Sequence, residues 1–115
     1  MLLLGLVLGV LSVPHHGAYI DRVHYQGPSS FAGMRYIAEG PPHVLQMVGT
    51  DDGIKWWTLT GSCSGVGMST IKFDFSPKGG PAELVGKAVV KEDGKAQIIW
   101  PDGNAWERTA SPLPG

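Results

Sequence analysis

The chain has 115 residues, 43% hydrophobic and 17% charged, with a formal net charge of −1. That length holds one domain, and nine Lys and Arg scattered among ten Asp and Glu argue against the concentrated basic surface of a nucleic-acid binder. A lone cysteine cannot close an internal disulfide, so the fold is expected to rest on packing, within the chain or against a partner.

The first 13 residues, MLLLGLVLGVLSV, form an apolar run that ends at Pro14. As a helix the run would reach roughly 18 Å, well short of a hydrocarbon core of ~30 Å. It is read as an apolar arm or the remnant of a targeting sequence. Retained, it would have to cover its surface with lipid or a partner. Residues 14–33 show no sustained period and are read as a loop.

From residue 34 onward short apolar stretches alternate with turn signals. The expected strands are MRYIAEG (34–40), HVLQMVGT (43–50), IKWWTLTG (54–61), MSTIKFDF (68–75), AELVGKAVV (82–90), KAQIIW (95–100) and AWERT (105–109). Asp52-Gly53, Asp93-Gly94 and Asp102-Gly103 mark turns, since Asp-Gly between apolar runs favours a tight hairpin. Seventeen glycines and nine prolines fit a chain of short elements and many turns. The expectation is all-β: about seven short antiparallel strands in a meander, closed as a small barrel or folded as a sandwich. The β-domain spans 34–109, and the tail 110–115 lies outside it. The expected core is Ile37, Val44, Val48, Trp57, Leu59, Ile71, Phe73, Phe75, Leu84, Val90, Ile98, Trp100 and Trp106. A β-portion of this size buries only about 60% of its unfolded surface, which favours a stable partner.

Gly61-Ser62-Cys63-Ser64-Gly65 has the outline of a nucleophile elbow. An elbow needs a helix after the turn. Here MSTIKFDF follows, alternating with period two, so a small-residue loop is the better interpretation. Gly65-Val66-Gly67 lacks the third glycine of a dinucleotide fingerprint and precedes a strand. Pro77-Lys78-Gly79-Gly80 resembles a phosphate loop in composition only, although its backbone N–H groups could form an anion nest. His15, His16, His24 and Asp21 could donate to a metal, but no fixed spacing supports it. No metal and no cofactor is expected, and the chain is read as non-catalytic.

Trp56 and Trp57 are neighbours in one strand, so their side chains point to opposite faces. One enters the core. The other, taken as Trp56, faces a ligand, a partner or solvent, and the preference of interface centres for Trp favours a partner. Partner contacts are expected from Trp56 and from Leu3, Leu4, Leu6 and Leu8 of the arm.

Several runs carry a resemblance over about four fifths of the chain, from Gly17 to Thr109. They are Gly17-Ala18-Tyr19 with Asp21 and His24, Arg35-Tyr36-Ile37, Asp52-Gly53 and Trp57-Thr58-Leu59. The longest are Phe73-Asp74-Phe75-Ser76-Pro77-Lys78-Gly79-Gly80-Pro81 and Trp100-Pro101-Asp102-Gly103-Asn104-Ala105-Trp106. Together they resemble a family of small uncharacterised β-domain proteins from red-lineage algae and dinoflagellates. The chain departs from that pattern at Arg22 and Tyr25, where the family has proline, and has a longer loop before Arg35. The resemblance implies a compact β-domain of plastid origin. More loosely, the chain is similar to the small β-stranded accessory subunits of algal photosystem I. The expectation that follows is an accessory subunit docked on a thylakoid photosystem complex, with membrane contact through the arm and no nucleic acid. Two other functions remain open. One is a barrel holding a lipid or pigment among Trp57, Phe73, Phe75 and Trp100. The other is an enzyme using Cys63.

Overall fold

The computed structural model describes residues 16–40 and 42–109. The arm with Leu3, Leu4, Leu6 and Leu8, and the tail from 110 to 115, lie outside the described residues. Eight antiparallel strands follow one another around a closed barrel. They are β1 (Gly17–Asp21), β2 (Met34–Gly40), β3 (Val44–Thr50), β4 (Trp56–Ser64), β5 (Thr70–Phe73), β6 (Leu84–Val90), β7 (Ala96–Ile99) and β8 (Ala105–Thr109). Each strand pairs with the next, and β8 returns to β1 with Asp21 opposite Trp106 and Ala18 opposite Thr109. Closure leaves no unpaired edge among the described strands, so none of them offers a template for pairing with another chain.

The meander is as expected, but β1 lies inside the stretch read as a loop. Its inward positions are Tyr19 and Asp21, both buried. A charged residue on the inward face hides the apolar alternation by which a strand is recognised. Asp21 is tolerated there because Arg35 of β2, itself buried, ion-pairs with it at 2.9 Å.

The GSCSG stretch is also mostly strand. β4 runs through Ser64, with Cys63 opposite Ile71. Only residues 65–69 turn, through a short 3-10 segment at Val66–Met68. Cys63 is a buried core residue whose Sγ lies 3.8 Å from the His43 carbonyl oxygen. Burial raises its thiol pKa, and the Glu39 carboxylate adds to the effect, the opposite of what an activated thiolate needs.

The barrel interior is filled. Leu45, Met47, Leu59, Ile71, Phe73 and Ile98 are almost wholly buried. Of the expected core, Ile37, Leu59, Ile71, Phe73, Phe75, Ile98, Trp100 and Trp106 are buried, and Trp57 and Leu84 pack against them. Val44, Val48 and Val90 are corrections, being 39%, 39% and 58% exposed. β3 carries apolar residues on both faces, and the longer Leu45 and Met47 point inward, putting the valines on the outer wall. In β6 the buried positions are Gly86 and Ala88, and Val90 ends the strand in the open.

The alternation of strand directions sends connections 22–33, 51–55, 74–83 and 100–104 to one end of the barrel. The opposite end carries the other turns and the chain's departures to both outer segments.

Candidate docking surface

Trp56 and Trp57 open β4 at the end formed by these four connections and separate as the pleat requires. Trp57 turns inward, half-buried against the core. Trp56 turns outward and is 43% exposed. On the outer wall it forms an aromatic cluster, meeting Phe31 edge-on at 5.4 Å between ring centroids and Tyr36 at 6.4 Å. Val48, paired with Tyr36 across β2 and β3, adds apolar surface, and Ile54, in the turn that precedes Trp56, is 83% exposed. Sequence patterning placed Trp56 on the outer face but gave no sign of its neighbours Phe31 and Tyr36. Phe31 comes from the irregular 22–33 connection, where no period announces which way a side chain faces.

The turn before Trp56 is firmly built. The Asp52 carboxylate accepts backbone N–H bonds from Ile54 and Lys55, both at 2.8 Å, and one from the Thr50 hydroxyl at 3.2 Å. The Thr50 hydroxyl in turn accepts the Gly53 N–H at 2.9 Å. The Lys55 and Ile54 N–H bonds hold the Asp52 carboxyl below its ordinary pKa, outweighing the opposing effect of desolvation. Gly53 takes φ of 82°, a left-handed conformation that suits the glycine of an Asp-Gly turn. This braced turn sets the angle at which Trp56 leaves it.

Behind the outer cluster, charge and aromatic rings close the barrel end. Arg35 stands in a cross-strand row with Tyr19, Gly49 and Trp57. Gly49 makes the row possible, since a Cβ there would lie 2.5 Å from the Trp57 ring. The guanidinium sits between two indoles, 4.9 Å from Trp57 and 5.1 Å from Trp106. It donates to the Thr50 carbonyl at 2.8 Å, to Asp21 at 2.9 Å and to Asp51 at 2.7 Å. Lys78 donates to the other Asp51 oxygen at 2.8 Å and lies 4.6 Å from the Trp57 ring. Burial alone would raise the Asp51 pKa, but the Lys78 hydrogen bond and the charges of Arg35, Lys78 and His24 together hold it below the usual carboxylate range. Asp51, Lys55, Trp56, Trp57, Pro77 and Lys78 line an open cleft of about 420 Å³, so the outer cluster and the charged network share one continuous surface.

The two longest runs quoted for the family resemblance meet at this end. Residues 74–81 fold back on themselves, with Phe75 N–H donating to the Pro81 carbonyl and Gly80 N–H to the Phe75 carbonyl. That loop inserts the buried Phe75 into the barrel mouth and sends Lys78 to Asp51. Phe75 packs edge-on against Trp100 at 5.6 Å, and Trp100 against Trp106 at 4.8 Å. The 100–104 turn between those tryptophans closes through Trp100 N–H to the Asn104 carbonyl, and Asn104 reaches Asp21 at 3.2 Å. Gly86 leaves room for Trp100, whose ring would lie 2.8 Å from an added Cβ.

Among the described residues, no group of three or more His, Cys, Asp or Glu could hold a metal ion. His24, read as a possible ligand with Asp21, helps line a small open cavity together with Arg35, and Asp21 is committed to Arg35. No helix among these residues is long and apolar enough to cross a membrane. No protein-family model matches the chain, and neither a curated protein nor a solved structure does so.

Proposed function

We propose that this protein is a non-catalytic docking subunit that joins a larger protein assembly through the outer wall of β2–β4 around Trp56. The carrying observation is the Phe31–Tyr36–Trp56 cluster, in which Trp56 is 43% exposed beside two partly buried rings. Aromatic residues are enriched at interface hot spots, where they provide large contact area. The cluster also sits on a braced turn and a closed barrel, so little ordering cost remains to be met on binding. The looser similarity to small β-stranded accessory subunits of algal photosystem I suggests a thylakoid photosystem as that assembly, with the arm of Leu3, Leu4, Leu6 and Leu8 as a second contact to it or to the membrane. The alternative of a lipid or pigment inside the barrel is disfavoured by the interior packing. Phe73, Phe75 and Trp100 pack on one another or on the core, and the inward positions around them are filled.

The test is native fractionation of thylakoid membranes from a red-lineage alga expressing the tagged full chain. Wild-type protein is expected to co-migrate with the photosystem I band. Trp56→Ser should leave that band, while Val85→Ser, on a different outer face, should stay. Wild-type recovery only in the soluble fraction, or full retention of Trp56→Ser, would overturn the proposal.

A further inference from the structure

The barrel end opposite Trp56 carries a second surface. The chain enters β1 there, and the connections between β2 and β3, β4 and β5, and β6 and β7 close it. Two of those connections hold apolar side chains out in solvent. Val66 is 93% exposed at the tip of the 65–69 connection. That tip is fixed: the Val66 carbonyl accepts the Ser69 N–H at 3.2 Å and the Ser69 hydroxyl at 2.8 Å, while Met68 packs against the core. Val90 is 58% exposed where β6 ends, before a turn closed by the Lys91 N–H on the Lys95 carbonyl at 2.8 Å. Val44 opens β3 on the same rim and is also exposed. Scattered exposed valines are ordinary in themselves. These stand at the end from which the apolar run departs.

The link to that run is short. The His16 carbonyl accepts from Arg108 at 2.7 Å, which ties the chain to β8. Only Pro14 and His15 separate His16 from the end of MLLLGLVLGVLSV. Three Cα–Cα spans reach at most about 11 Å. Wherever the run is seated, this rim therefore lies beside it. The run is too short to cross a hydrocarbon core of ~30 Å, but its apolar surface can be buried in one leaflet.

The chemistry of the rim favours lipid over protein as the covering. Lys91, Lys95 and Arg108 stand there with Glu39, Glu92 and Asp93, leaving no formal excess of either sign. The centre of a protein interface is depleted in charge. Valines on separate tips, with charges of both signs between them, suit a deformable headgroup layer instead. Without a net charge on the rim, the attraction is apolar and needs no anionic lipid.

We propose that this end of the barrel rests on a neutral bilayer surface, with the apolar run seated in the lipid, Val66 and Val90 dipping to headgroup depth, and Trp56 directed away from the membrane. The proposal rests on the membrane contact of the arm in the reading above and not on its Trp56 contact, so the two can fail separately.

The test labels the full chain carrying Val66→Cys, Val90→Cys or Ile54→Cys with nitrobenzoxadiazole under native conditions. The wild-type chain, whose Cys63 is buried, is the blank. Each protein is mixed with phosphatidylcholine vesicles. All should float with the vesicles, in low and in high salt alike. The labels at positions 66 and 90 should shift to shorter wavelength and be quenched by lipids spin-labelled near the headgroup, while the label at position 54 keeps its aqueous spectrum. Val66→Asp should weaken vesicle binding with the urea midpoint unchanged, and Ile54→Asp should not. Failure of the wild-type chain to float, quenching at position 54 equal to that at 66, or a label at 66 that stays in water on floated protein would overturn the proposal. So would a shift at position 66 before vesicles are added, which would mean that the chain covers its own rim. Full retention of Trp56→Ser on the photosystem band would overturn the docking reading and leave the vesicle results standing, and failure with vesicles leaves the Trp56 test intact.

Discussion

Arg35→Met should be the most damaging single change at the barrel end. The side chain is 1% exposed and bonds two carboxylates and the Thr50 carbonyl while stacked between two indoles. Methionine keeps much of the packing volume but leaves Asp21 buried without its counter-ion. Removing one member of a buried pair costs about 3–5 kcal/mol. Asp51 adds little to that figure, because its side chain is one-third exposed and keeps Lys78. Small domains have about 5–15 kcal/mol in all, so the variant should lose roughly a fifth or more of the total. Most of the cost is an uncompensated charge, and neutralising it should recover part of the loss. Asp21→Asn in the Arg35→Met background is therefore expected to restore about 1–2 kcal/mol, although alone it destabilises. Urea unfolding of the four proteins, with equal m values, measures the cycle. A cost for Arg35→Met below about 1 kcal/mol, or strictly additive single changes, would refute the argument.

Two further expectations concern titration and reactivity. Asp51 has a folded pKa below its unfolded value of ~3.9. Its contribution to stability is thus fully present above that unfolded value and is lost as pH falls through the folded pKa. The stability gap between wild type and Asp51→Asn should be constant near neutrality and shrink below about pH 4; a gap that widens in acid would contradict the Lys78 and Arg35 assignment. Cys63, buried with its thiol pKa raised, should react with iodoacetamide at pH 8 about tenfold or more slowly in the native chain than in urea. Native labelling as fast as free cysteine would reopen the nucleophile question.

Much of the fold is legible in the sequence, and the failures have physical causes. Seven strands are marked by alternation and by Asp-Gly turns. β1 is hidden because Asp21 occupies an inward position, and only the later Arg35 makes that position tenable. The face of β3 is ambiguous because Val44 and Val48 compete with Leu45 and Met47. Side-chain length and the register with β2 and β4 decide between them, and neither is visible within one strand. The outward position of Trp56 follows from pleat parity alone. Its partners do not: Phe31 arrives from an irregular connection, and Tyr36 reaches Trp56 across two strand pairings. The charged network is equally non-local, joining Asp21, Arg35, Asp51 and Lys78 from four separate segments.

That distribution bears on how the proposed docking surface is held. Asp51 and Asp52 are sequence neighbours with divided duties. Asp51 bonds Arg35 and Lys78 and anchors the turn to the barrel end. Asp52 bonds the Ile54 and Lys55 N–H groups and shapes the turn itself. Its exposed position means that Asp52→Ala should unfold the barrel little while loosening the chain just before Trp56. If Asp52 acts by positioning Trp56, Asp52→Ala should lower photosystem co-migration in the wild-type background and add nothing once Trp56→Ser has removed the anchor. Asp52→Asn, whose side-chain oxygen still accepts an N–H bond, should keep more of the co-migration than Asp52→Ala. Equal losses in both Trp56 backgrounds would show that Asp52 contacts the partner directly or acts elsewhere, and the braced turn would then be a feature of the hairpin alone.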